Sequence, residues 1–312
     1  MDPVRIRLAD PGHGPRSIPE ELRRRFPERR AELDAALACG EVVTELGTPV
    51  TERTPRTRNM DVWTYRTPEP EFLVPFEITV VHRDGRLLVA DKPHFLTTAP
   101  RAGHVTETAL VRLRRQTGID TLAPAHRLDR LTAGVLVFTV DPVVRGRYQD
   151  LFASRRVDKS YLAVAPAGPD TPTRRSRSSR IVKSRGVLQA AEVEGEPDSH
   201  TEIELLERRG ELGLYRLRPT TGRTHQLRVH MAALGTPIVG DDLYPTVRDV
   251  AEGDFSAPLQ LLSESIGFRD PVDGTPREFR SSRSLRRWDD ARGHADGRES
   301  EADRGFRGSE PG

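Results

Sequence analysis

Ala125-His126-Arg127-Leu128-Asp129-Arg130-Leu131-Thr132-Ala133-Gly134, followed by Val135-Leu136-Val137-Phe138-Thr139-Val140, decides the reading of this chain. The second half is a continuous apolar run with the length and residue types of a core strand. The first half is a loop that sets one carboxylate between two arginines and ends at a glycine. Charge concentrated beside a core strand has two explanations. One is a surface salt bridge. The other is a catalytic aspartate whose ionisation arginine maintains.

Periodicity outward from this stretch gives the remaining elements. Residues 78–81 and 87–89 read as a hairpin around Arg83-Asp84-Gly85, where glycine is free to take positive φ. Residues 106–116 read as a helix with Gly118 past its end, and 143–154 as a second helix. Residues 161–164, 187–193, 201–206 and 214–217 read as strands. Residues 166–186 read as a polar excursion that holds Arg174-Arg175-Ser176-Arg177-Ser178-Ser179-Arg180, a charge run for a polyanion or for solvent. A helix over 224–234 places Leu227, Met231 and Leu234 on one face, and Gly235 and Pro237 stop it. Strands outnumber helices and do not alternate with them regularly. The expected fold is therefore α+β: a mixed, largely antiparallel sheet flanked by helices, with a catalytic cleft.

The chain of 312 residues is 35% hydrophobic and 31% charged. So low an apolar share points to a real core with polar ends outside it. Three regions follow: an N-terminal appendage over 1–75, partly helical and open to contact with a partner; a main domain over 76–285; and a disordered polar tail over 286–312. Within the appendage, residues 18–43 carry a helical pattern that Pro27 splits. A net charge of +2 excludes a uniformly basic protein. Only Lys92, Lys159 and Lys183 are lysines, so arginine supplies 46 of the 49 basic residues. Cys39 is the single cysteine, which excludes an intrachain disulfide and a thiolate metal site, and a small buried apolar role is expected for it. No run reaches membrane-span length and no secretory pattern follows Met1, so a soluble, cytoplasmic protein is expected.

Three further segments place polar residues where the pattern predicts core: Asp91-Lys92-Pro93, Asp158-Lys159-Ser160-Tyr161, and Thr221-Gly222-Arg223-Thr224-His225-Gln226-Leu227-Arg228-Val229-His230. The last of these runs on to Gly235-Thr236-Pro237-Ile238-Val239-Gly240-Asp241. In this order the four segments resemble the signature of the RluA-type pseudouridine synthases: a His-Arg-Leu-Asp-x-x-Thr-Ser/Ala-Gly loop, a Lys-x-Tyr strand and a Gly-Arg-Thr-His-Gln-Leu-Arg-x-His helix start. The resemblance covers about residues 76–285. It implies isomerisation of uridine to pseudouridine in structured ribosomal or transfer RNA, without metal or organic cofactor.

By the same resemblance Asp129 is the catalytic aspartate, acting on the nucleotide as nucleophile or as base toward the C2′ proton. Both roles need the ionised form. Burial raises a carboxyl pKa and a close arginine lowers it. Arg228 matches the family's active-site arginine, lies off the helix's apolar stripe, and is expected to be the ion-pair partner of Asp129. Tyr161 matches the active-site tyrosine, with a ring face for a uracil drawn out of its stack. Arg127 is expected to fill the gap left by that base or to grip a phosphate, with a solvated arginine as the plain alternative. Arg223, His225 and Gln226 open a helix whose free N–H groups suit an anion, and Lys92 joins them as a substrate-side or loop-supporting residue. His225 and His230 stand about 140° apart on a helix with no acid to complete a metal set. They are expected to hydrogen-bond to the aspartate loop. Ala133 replaces the commoner serine. Leu262 stands where many members have histidine, which puts contacts at the back of the pocket in doubt.

Two rivals belong to other classes. A protein of this fold that binds RNA or assists ribosome assembly without turnover would be expected to carry a broken aspartate, tyrosine or arginine; all three are intact. A glycoside hydrolase uses two facing acids, whereas the motifs here supply one acid among arginines. The reading is an RNA-modifying enzyme that works as a monomer on RNA.

Overall fold

The structure, a computed structural model, describes residues 4–10, 12, 14–64, 71–101 and 104–291. The chain divides into two compact units, Met1–Pro70 and Glu71–Gly312.

The first unit pairs strands β1 (Val4–Leu8), β2 (Val42–Thr44) and β3 (Met60–Thr64) in an antiparallel sheet of order β1-β3-β2. Helices α1 (Ile18–Arg25) and α2 (Arg30–Ala38) flank a 3-10 turn, Pro27–Arg29. The break falls at Pro27 because proline has no N–H to continue the helical ladder. Ser17 caps α1, its side chain accepting a hydrogen bond from the Glu20 amide. Leu8, Ile18, Leu22, Leu37, Val42 and Val62 close a hydrophobic core that belongs to this unit alone. The sequence pattern shows the helices but not β2 and β3, which are short and sit among Thr, Pro and Arg. Cys39 ends α2 and is exposed, contrary to the buried role expected of it.

In the second unit β4 (Thr79–Arg83) and β5 (Leu87–Lys92) form the predicted hairpin. Helix α3 (Ala109–Thr117) starts at a Thr108 cap and ends at Gly118 in the left-handed region. β6 (Ala123–Pro124), β7 (Ala133–Thr139), α4 (Arg145–Ala153) and β8 (Asp158–Pro166) follow. Next come β9 (Arg174–Val182), β10 (Ala191–Val193), β11 (Ser199–Arg209), β12 (Leu212–Pro219) and α5 (Gln226–Ala233). β13 (Leu261–Arg269) and β14 (Pro276–Arg280) complete it. The eleven strands form one mixed sheet, in the order β10-β9-β11-β12-β8-β13-β7-β5-β4, with β14 on β13 and β6 on β7. The β13–β7 pairing is parallel and the others are antiparallel. This is the α+β architecture that the strand count implies.

β5 and β7 lie just inside the β4 edge of the sheet and are buried along their whole length. Leu88, Ala90, Leu136 and Phe138 face one layer, with α3 and α5 packed over it through Leu113, Leu227 and Met231. Leu87, Val89, Val135 and Val137 face the other, covered by Tyr148 and Leu151 of α4. Burial on both faces is why β7 reads as an unbroken apolar run.

Three expectations are corrected. The arginine–serine run is a strand, β9, and not a loop. Arg175, Arg177 and Ser179 turn inward while Arg174, Ser176, Ser178 and Arg180 face solvent. The period-two pattern is present in the sequence, but polar residues carry it, so hydropathy hides it. Of the strand read over 187–193 only β10 forms. The expected polar tail starts with a helical stretch over 286–291, whose Trp288 packs with Leu285, Val164 and Leu262. The rest of that tail, 292–312, lies outside the described residues.

Candidate active site

The loop 125–132 enters β7 with its backbone fixed at four points. Thr98 Oγ1 donates to the Leu128 carbonyl at 2.8 Å and accepts from the Leu128 amide at 3.0 Å. The Lys92 ammonium donates to the Arg130 carbonyl at 3.2 Å and to the carbonyls of Pro93 and Leu96 at 3.0 and 2.7 Å. His94 Nδ1 donates to the Leu131 carbonyl at 2.6 Å. His126 accepts the Val137 amide at its Nε2, 3.1 Å away, while its ring stacks on Phe152 at a centroid distance of 4.4 Å. Leu128 and Leu131 are buried on either side of Asp129. The carboxylate therefore projects from a fixed backbone, and among the described residues nothing ion-pairs with it. A rigid, unpaired carboxylate is held ready for a ligand at no further ordering cost.

Tyr161 stands on β8, paired across to Ser263 of β13. Burial pushes its phenol up to about 12, with the Asp129 charge adding to the effect, so the ring stays protonated at neutral pH. Arg228 projects from α5 and is almost fully buried. Its guanidinium grips Asp241 by two hydrogen bonds, from Nε at 2.8 Å and Nη2 at 2.5 Å, and reaches Asp242 at 2.7 Å. It also lies 5.3 Å from the centre of the Tyr244 ring. Burial works against its charge, but the Asp241 carboxylate, with a smaller part from Asp129, holds it above its ordinary value. The expected Arg228–Asp129 ion pair is thus corrected. Asp241 takes the arginine, and Asp129 feels it only through space.

Asp129, Tyr161 and Arg228 line one cleft of about 500 Å³ together with Arg127, Arg223, His225 and Gln226. Arg127 is exposed, and its guanidinium has no hydrogen-bond or ion-pair partner among the described residues. Arg223 is on the rim, its guanidinium 3.1 Å from Asp198. His225 caps α5 in the left-handed region, φ 58°, and shares a 3.0 Å hydrogen bond with the Tyr244 hydroxyl. Burial lowers its pKa, so it stays neutral. Gln226 is buried with its amide committed. Its oxygen accepts from Thr221 and the Arg223 amide, and its nitrogen donates to His200 and Thr201. It shapes the wall and has no group left for a substrate. Lys92 is not in the cleft at all: it is fully buried beneath the loop with its three protons used. His230 bonds to Ser179, Ser199 and Thr201 on the strands, and neither histidine reaches the aspartate loop. Leu262 packs with Trp288 and does not line the cleft, so the missing histidine leaves the cleft wall intact.

Sequence reasoning missed Lys159 and Arg155, which also line the cleft. Lys159 donates to the Thr221 carbonyl at 2.8 Å, and burial together with Arg155 lowers its pKa to about 8. The Lys-x-Tyr spacing could have flagged it, because side chains two apart on a strand share a face. Asp129 is the one acid among the described lining residues, against Arg127, Arg155, Lys159, Arg223 and Arg228. Such a lining favours a polyanion. Among the described residues no group of three His, Cys, Asp or Glu is placed to hold a metal ion, and no helix is long and apolar enough to cross a membrane.

Fold and cleft together define an enzyme class that comparison with known proteins makes specific. Residues 86–233 match the family model for RNA pseudouridylate synthase. A Chlorobaculum parvum protein named as an uncharacterized RNA pseudouridine synthase is 29% identical over 281 residues, 80% of this chain and 85% of its own. The dual-specificity RNA pseudouridine synthase RluA of Haemophilus influenzae is 28% identical, over 67% of this chain and 95% of its own. The solved structure of human RNA pseudouridylate synthase domain containing 1 aligns with a TM-score of 0.54 and 26% identity, over 66% of this chain and 84% of that one. Over this region the chain is similar to RNA pseudouridine synthases. Enzymes named RluA are among the relatives it matches.

Proposed function

We propose that this chain converts a particular uridine of ribosomal or transfer RNA to pseudouridine, with Asp129 as the catalytic carboxylate. The observation that carries this reading is the unpaired carboxylate of Asp129, fixed on a pinned loop as the sole acid of a basic cleft. The reaction breaks the N1–C1′ bond, turns the uracil and forms a C5–C1′ bond. The C5 proton leaves and N1 gains one, so the composition is unchanged. A carboxylate at C1′, C2′ or C6 serves such an exchange as nucleophile or as base. The cleft's size suits a nucleotide out of its stack, and extruding one costs a few kcal/mol, least in a loop. Tyr161, as a neutral phenol, offers its ring to the uracil. Arg127 and Arg223 hold backbone phosphates or the space the base leaves. Relatives named for a transfer-RNA uridine and for the large ribosomal subunit make both RNA classes candidates here.

In this reading the enzyme acts as a cytoplasmic monomer without metal or organic cofactor. A map of pseudouridine in total RNA, with and without the gene, tests the proposal. The expected result is loss of one or a few positions in ribosomal or transfer RNA. No lost position in either would overturn it in favour of an RNA-binding protein without turnover.

A further inference from the structure

Arg155 occupies a backbone position that glycine would fill without strain. It follows α4 and its Ser154 cap with φ +61°, the left-handed conformation that commonly ends a helix and that glycine favours there. Its amide donates to the Phe152 carbonyl at 3.2 Å, and the Arg156 amide to the Leu151 carbonyl at 3.2 Å, so the helix end is closed by backbone alone. The side chain adds nothing to that closure. It is exposed and lines the active-site cleft, and among the described residues its guanidinium has no hydrogen-bond or ion-pair partner. Some exposed arginines of the chain find carboxylates, as Arg5 does with Asp61, Arg174 with Glu204 and Arg280 with Glu278, whereas Arg155, like Arg127 in the same cleft, does not.

The surroundings leave Arg155 unsatisfied. Its neighbour in the wall is a second cation, Lys159, with one proton on the Thr221 carbonyl and two uncommitted. The Arg155 charge helps to depress the Lys159 pKa, which marks the two as close enough to repel. On its other side Arg155 borders a second cavity, where Glu264 and Glu278 already face Arg216 and Arg280. Asp158 lines that cavity too and forms no ion pair with Arg155. Two cations side by side are what an anionic ligand relieves.

We propose that Arg155 is a further substrate-binding residue, whose guanidinium takes a backbone phosphate of the RNA strand at the wall formed by the end of α4 and by Lys159. The inference rests on the RNA reading above and deepens it. A planar guanidinium binds a phosphodiester by two parallel N–H···O bonds.

The test is binding of the full-length protein to a labelled oligouridylate of about ten nucleotides, from about 50 to about 200 mM salt. Arg155→Gly relaxes the backbone and removes the charge. It is expected to melt at or above the wild-type temperature, to bind several-fold more weakly at low salt, and to flatten the plot of log affinity against log salt by about 0.7, the share of one phosphate on a single strand. Arg155→Gln is expected to lose the same share, and Arg155→Lys to keep it. Wild-type affinity and slope in Arg155→Gly overturn the proposal. So does weaker binding with an unchanged slope, or a wild-type protein whose binding ignores salt. The slope reads the same whether or not the uridines are isomerised. A wild-type protein that makes no pseudouridine in any RNA therefore overturns the catalytic reading separately.

Discussion

Arg228 is a buried cation held by a buried anion. The Asp241 side chain is about 1% exposed, and it also accepts the amides of Leu243 and Tyr244 at 2.9 Å. Removing the arginine strands that carboxylate in the interior. Arg228→Met is therefore expected to destabilise the fold by about 3–5 kcal/mol, read by denaturant unfolding, with part of the loss recovered when Asp241→Asn is added. A cost below about 1 kcal/mol would show that Arg228 does not hold the wall of the cleft as described. The motifs made it legible that Asp129, Tyr161 and Arg228 converge. Which acid takes the arginine was not, because Asp241 lies in the same run of residues and spacing alone does not rank two carboxylates. Lys92 was equally ambiguous. A lysine after a strand serves a phosphate or a set of carbonyls, and only the folded loop supplies the three carbonyls.

The glycine that ends the aspartate loop acts at the level of strands. Gly134 has φ +108°, and a β-carbon there would stand 2.2 Å from the Ser263 carbonyl oxygen. This is where β7 meets β13 in the sheet's parallel pairing. Gly134→Ala is expected to cost about 3 kcal/mol, from strain and overpacking together, and to lower the unfolding midpoint correspondingly. A change within about 0.5 kcal/mol would contradict the close approach. The loop-ending glycine is visible in the sequence, but its reason is not, since β13 lies over a hundred residues away. Long apolar or well-capped elements such as β7 and α3 were legible. β9 was not, because its inward positions are arginine and serine, satisfied by Thr236, Glu192 and His230.

At the scale of the molecule, several histidines are locked neutral. Burial lowers His94 to about 4, His126 to about 3 and His230 to about 4, each from 6.5. Between pH 6.5 and about 4 the unfolded chain binds protons that the folded chain refuses. Their contribution to stability is complete above pH 6.5 and falls as pH drops through that window, by up to about 1.4 kcal/mol per pH unit for each histidine. Denaturant midpoints at about pH 7.5 and about pH 5 should differ, the acid one being lower. Equal midpoints would contradict the buried, neutral state. The fold class was legible from the balance of strands and helices. The separate core of residues 1–70 was not, since its strands are three and five residues long and lack sustained alternation.

The account turns on the Asp129 carboxylate, and its most direct test is Asp129→Asn, nearly the same size but without the charge. The variant is presented with the RNA whose uridine the genetic map identifies, under single-turnover conditions. It is predicted to bind that RNA as the wild type does and to form no pseudouridine. Pseudouridine formed at the wild-type rate would contradict the account.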